Sequence, residues 1–173
     1  MKSRGLIGVL LLGSSVTLAE PPLTAQHVLS SIASHGAAPT LAELYRDDRR
    51  WAALLAGIAT GDSTWLDAAK KLHRASDAGS SEQLELAVGE ALEHQPEKVL
   101  SSAVEEFRLD LICGPPDIDD IRYRTYAKAI AAIEKRERRL KLIDSNGVQA
   151  HRDSCIALLE EARSTTRKVF DRP

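Results

Sequence analysis

Aromatic side chains make up only 4% of this chain of 173 residues, and there are just two cysteines, two tryptophans and one methionine. No stretch alternates apolar and polar residues, which excludes the half-buried strands of a sheet protein. HExxH, CxxC, GxSxG and glycine-rich phosphate loops are all missing. The histidines His27, His35, His73, His94 and His151 stand singly, without a second ligand at a metal spacing. No metal, no cofactor and no catalytic residue is therefore expected.

Long hydrophobic runs are lacking too. A membrane span needs roughly 20 apolar residues. The longest candidate, Leu6 to Leu12, follows the basic Lys2 and Arg4 and is succeeded by small residues up to Thr17 and Ala19. That pattern reads as a secretory signal peptide over residues 1–19, cut after Ala19. The exported remainder is expected to be soluble, without a membrane span, and periplasmic if bacterial. Loss of Lys2 and Arg4 from 23 basic side chains leaves 21 against 25 acidic ones, a formal charge of minus four. Such mild acidity argues against a nucleic-acid partner. The one basic cluster, KRERRLK from Lys135 to Lys141, is read as a solvated helix end whose cations complement the helix dipole.

What is present in abundance is helix-forming. Ala, Leu, Glu, Lys and Arg dominate, and starts are marked by Thr40 with Glu43 and Ser80 with Gln83, both fitting a capping box. Asp62 and Asp117 are further N-cap candidates, and Pro96 suits a first helical position. Helices are predicted at 25–34, 41–59 with a break at Asp47 and Asp48, 63–74, 81–94, 96–107, 118–143 and 148–169. The expectation is an all-α compact bundle of about seven helices: an N-terminal segment with a short helix at 20–39, then one domain at 40–173.

A shift of 34 residues aligns Leu54 with Val88, Ile58 with Leu92, Trp65 with Val99, Leu66 with Leu100 and Ala69 with Ala103. Each copy is a helix, a tight turn and a second helix, so the bundle should contain two similar hairpins. The pattern is similar to HEAT-like or tetratricopeptide-like stacking, without the signature residues of either. The stretch WAALLAGIATGDSTWLDAAKKL followed by SDAGSSEQLELAVGEAL resembles an uncharacterised family of small exported proteobacterial helical proteins. The resemblance covers residues 51–104 and implies a fold and a compartment rather than an activity.

Three local features invite a chemical reading. GDSTW, Gly61 to Trp65, has the letters of an esterase motif, but that motif needs a strand before its serine; Asp62 as a helix cap is preferred. Glu90 could serve a glycosidase, yet it points away from the apolar stripe of Leu84, Val88, Ala91 and Leu92 and is read as solvated. Asp117, Asp119 and Asp120 do not fit the alternating ligand pattern of a calcium loop and are read as a cap with acids in the first turn. Trp51 and Trp65 fall on apolar faces and are expected in the core.

In LICGPPDIDD, Cys113 precedes a Gly-Pro-Pro turn. For an exported chain its default partner is Cys155, in a disulfide stapling the C-terminal helices. An unbroken helix over 118–143 followed by an antiparallel 148–169 would leave Cys155 about 10 Å from the turn and Cys113 about 40 Å. A disulfide needs Cα atoms within about 7 Å. The bridge therefore requires a break, placed between Glu134 and Arg139, or a last helix that does not fold straight back. With no assembled chemistry, the expected role is to bind another protein, as an immunity or inhibitor protein against a toxin or cell-wall hydrolase. An envelope adaptor or chaperone-like scaffold is the alternative, and Asp117, Asp119 and Asp120 form the expected contact patch.

Overall fold

Thr24 opens the first helix by accepting a hydrogen bond from the His27 N–H at 3.2 Å, the bond that an N-cap hydroxyl supplies to an otherwise unpaired first turn. A computed structural model describes residues 21–117 and 119–171. The signal-peptide segment, residues 1–19, lies outside the described residues. So does Ile118, the expected start of the long helix.

Nine α-helices and no strands occur among the described residues. They are α1 (Ala25–His35), α2 (Ala37–Arg46), α3 (Asp48–Ala59), α4 (Ser63–His73), α5 (Ala78–Ala91), α6 (Pro96–Ser102), α7 (Leu109–Ile112), α8 (Tyr126–Leu140) and α9 (Gln149–Phe170), with a 3-10 turn at Asn146–Val148 before the last. None is long and apolar enough to cross a membrane.

The predicted break falls at Asp47, whose carboxylate accepts from the Arg49 and Arg50 N–H groups and starts α3. Asp62 caps α4 in the same way through Thr64 and Trp65. Two caps differ from expectation. Thr40 is inside α2, donating its hydroxyl to the Gly36 carbonyl, because Gly36 at φ +91° already turns the chain between α1 and α2. Ser80 is not the cap of α5 but its third residue; Asp77 is the cap, and the two close a reciprocal capping box.

The two hairpins are α3–α4 and α5–α6. Leu54, Val88, Ile58, Leu92, Leu100, Ala69 and Ala103 are fully buried and Leu66 is 1% exposed, so the 34-residue correspondence is a correspondence of core positions. Trp65 departs from it: it is half-buried, with its indole against the backbone of Gly57, where any Cβ would overlap the ring. Trp51 is buried and donates its indole N–H to Gln83 at 2.5 Å. α6 stops at Ser102, short of the predicted 107. The hydroxyls of Ser101 and Ser102 both turn back to the Lys98 carbonyl, and the chain loosens into turns up to Phe107.

The largest correction concerns the long helix. Asp117 accepts from the Asp119 N–H at 2.9 Å and Asp120 from the Arg122 N–H at 2.8 Å. Each bond closes a local turn that competes with helix, so these acids delay α8 to Tyr126, capped by Thr125. No break occurs between Glu134 and Arg139. Arg136 is 2% exposed, Glu137 9% and Leu140 buried completely, so these three are held on the core, while Lys135, Arg138, Arg139 and Lys141 stay exposed as a solvated helix end. Lys135 and Arg136 both face Glu93, and Arg139 donates to the His94 carbonyl.

α9 folds back antiparallel on α8, since Arg167 and Phe170 near its end meet Tyr126 at the start of α8. The disulfide Cys113–Cys155 nonetheless forms, with Cα atoms 5.2 Å apart and both residues fully buried. The 15 residues of α8 rise only about 22 Å. An extended twelve-residue loop, 114–125, reaches up to about 40 Å, enough to carry the chain from Cys113 to the far end of the bundle. A buried disulfide of this kind fits an oxidising compartment.

Candidate docking groove and its acidic rim

Helices α3 and α5 run parallel. Trp51, near the start of α3, bonds Gln83 in the first half of α5, and Gly61 just beyond α3 abuts Gln95 and Ala91 at the other end. Their outward faces carry Ala52, Leu55, Ala56 and Ala59 on α3 and Gln83, Leu86, Ala87 and Glu90 on α5. Both sets follow the i, i+3, i+4, i+7 spacing of one helical face. Four of the eight are alanine, so the two backbones are thinly covered and a groove of about 670 Å³ opens between them.

One end of this groove is closed by charge. Arg122, from the loop before α8, reaches Glu90 with both terminal nitrogens, each 2.7 Å from a carboxylate oxygen, and also holds Asp120. The two carboxylates raise the guanidinium's pKa, and Arg122 in turn holds the Asp120 carboxyl below its ordinary range. Its guanidinium also lies 5.2 Å from the Tyr123 ring centre. His94 lies at this end too, and Asp117 borders the groove toward Gln83 and Leu86. Glu90 is thus not the solvated glutamate that its helical position suggests, with a side chain only 19% exposed and both oxygens engaged.

The expected contact patch is divided by the fold. Asp117 lies at the border between this groove and a second one of about 460 Å³ on the other side of Gln83 and Leu86. Asp120 belongs to the first groove, and exposed Asp119 to the second, which α9 walls with Thr165, Thr166 and Val169. Asp117 does not cap a helix; it starts a turn.

A carboxylate that sequence reasoning missed is Glu85, 2% exposed inside the bundle. It accepts from the Arg108 N–H at 3.0 Å and lies 3.4 Å from His73 Nε2. Ser81 Oγ is 2.8 Å from that same Nε2. A relay of serine, histidine and carboxylate needs its two partners on opposite ring nitrogens. Here they share one, and the ring packs on Phe107 at 4.5 Å, so the cluster is a satisfied polar contact within the core. Ser63, next to the capping Asp62, has no base within the hydrogen bonds of its turn. Among the described residues no group of three His, Cys, Asp or Glu side chains is placed to hold a metal.

The site is defined by the fold alone: an all-helical, disulfide-stapled protein with an apolar groove between two parallel helices and an acidic rim. No family model, curated protein or solved structure matches the chain.

Proposed function

We propose that this is an exported, non-enzymatic protein of the periplasm that binds another protein, acting as an immunity or inhibitor protein against a toxin or cell-wall hydrolase. The observation that carries the reading is the α3/α5 groove, apolar along its walls and acidic at one end, with its polar groups engaged in fixing a loop rather than arrayed around a reacting centre. Acidic rims of this kind suit a basic enzyme surface and speed its association. The test places a photo-crosslinking residue at exposed Ala56 in the full chain and illuminates it in its native cells. One crosslinked partner, whose toxic or hydrolytic activity falls on addition of the purified protein, is the expected result. A crosslinked partner whose activity does not change would overturn inhibition in favour of an envelope adaptor, which the second groove across α5 would serve. No crosslinked protein would overturn binding at this face.

A further inference from the structure

We infer that the occupant of the α3/α5 groove is an amphipathic α-helix whose cationic end lies against Glu90, Asp117 and Asp120. The inference rests on the binding reading above and says what chemistry the partner's segment must have.

The walls set the shape of the occupant. Ala52, Ala56 and Ala59 let a third backbone approach α3 closely, and Leu55 and Leu86 supply ridges on either side of the trough. Packing of a rod between two rods with i, i+3, i+4 ridges is how helices associate. An extended peptide fits these walls poorly. It must pair its own N–H and C=O groups with something, and helical walls have already spent theirs internally. Only Gln83 and Thr60 offer polar side chains along the trough, and Gln83 already accepts from Trp51. A helix arrives with its backbone bonds made. From Ala52 to Ala59 the wall is about 10 Å long, two turns of such a helix.

The rim sets its charge. Glu90, Asp117 and Asp120 outnumber Arg122, and Arg122 is fully committed to two of them. Because α3 and α5 run parallel, both of their C-termini, the negative ends of their dipoles, point to this same end. An occupant must bring lysine or arginine there, and an acidic helix is rejected. A second copy of the chain does not supply it. Helices with Lys or Arg in their last turn bury their apolar face in their own core, α4 through Leu66, Ala69 and Leu72, α8 through Ala129, Ile133 and Leu140, and α9 through Leu159 and Ala162.

The experiment is selection of random peptides of about 15 residues, long enough to nucleate a helix when bound, on the oxidised full chain. Enriched peptides are then titrated by fluorescence anisotropy against wild type, Ala56→Trp and Asp117→Lys. Ala56 and Asp117 are exposed, and Ala52→Trp serves as a second groove-filling variant should Ala56→Trp fail to fold. Expected are peptides with apolar residues at i, i+3 or i+4 and i+7 and Lys or Arg at one end, gaining helical circular dichroism on binding. Either tryptophan should weaken them at least about tenfold and Asp117→Lys about tenfold, the latter effect shrinking with salt. Enrichment of acidic, proline-rich or extended peptides overturns the inference, as does binding indifferent to both tryptophans. So does a groove that takes dodecylamine in the same competition but enriches no peptide. A protein crosslinked at position 56 together with any of those results leaves binding standing and removes the helix. Selected basic helices without a crosslinked protein remove only the cellular role.

Discussion

Arg122 joins Glu90 through two parallel hydrogen bonds across 32 positions of sequence, and so ties the loop before α8 to the outer face of α5. With Arg122 itself 55% exposed, the pair is screened and its worth is about 1 kcal/mol. Arg122→Gln should cost about that much in urea unfolding, while amide hydrogen exchange over residues 117–125 accelerates markedly. An unchanged exchange pattern would show that Pro115, Pro116 and the aspartate turns hold the loop unaided.

Reduction should be more costly. Cys113 and Cys155 are separated by 42 positions, and closing a loop of that length stabilises by about 4 kcal/mol on the chain-entropy account. The double variant Cys113→Ser with Cys155→Ser should show that loss in urea without reductant. Because both residues are fully buried, dithiothreitol should reduce the native protein only as fast as it opens, so reduction and unfolding rates should coincide.

Gly89 has a steric task in α5. A Cβ there would lie 2.7 Å from the Ile112 carbonyl oxygen, a backbone atom that cannot swing aside. Gly89→Ala should therefore destabilise by about 1 to 3 kcal/mol despite the better helix propensity of alanine, measured by thermal or urea unfolding. The displaced backbone is that of α7, one residue before Cys113.

Acid should weaken the fold through Glu137. The hydrogen bond from Lys141, with the Arg163 guanidinium beside it, holds this carboxyl below its usual value of 4.5. A group whose pKa is lower in the folded chain contributes stability above its unfolded pKa and loses it as pH falls through the folded one. Glu137→Gln should be less stable than wild type at pH 7, and the two should converge as urea midpoints are followed down from about pH 5.

Much of this fold is legible as local chemistry. Asp47 and Asp62 mark helix starts because each accepts from backbone N–H groups two and three residues on, and Pro96 because a first helical position needs no N–H. The hairpin correspondence and the Cys113–Cys155 pair follow from periodicity and from the number of cysteines. What sequence reasoning misplaces depends on partners distant in the chain or on competing local bonds. Arg136 and Glu137 look like part of a solvated end until Glu93 and Arg163 are brought to them from other helices. Asp117, Asp119 and Asp120 have the composition of a helix start, but two of them close turns instead. The groove left one trace that could have been read: the spacing of Ala52, Ala56 and Ala59 on a face of α3 that the apolar stripe of Trp51, Leu54 and Ile58 does not use.

Cys113 is the last residue before the loop that carries Asp117, Asp120 and Arg122, so its bond to Cys155 fixes the origin from which the acidic lip is laid over α5. The two walls are built by α3 and α5, which meet directly through Trp51 and Gln83. The groove thus depends on two kinds of bond, a trough set by helix packing and a lip whose starting point is pinned by a sulfur–sulfur link, and a chain kept among reduced thiols would lack that pin.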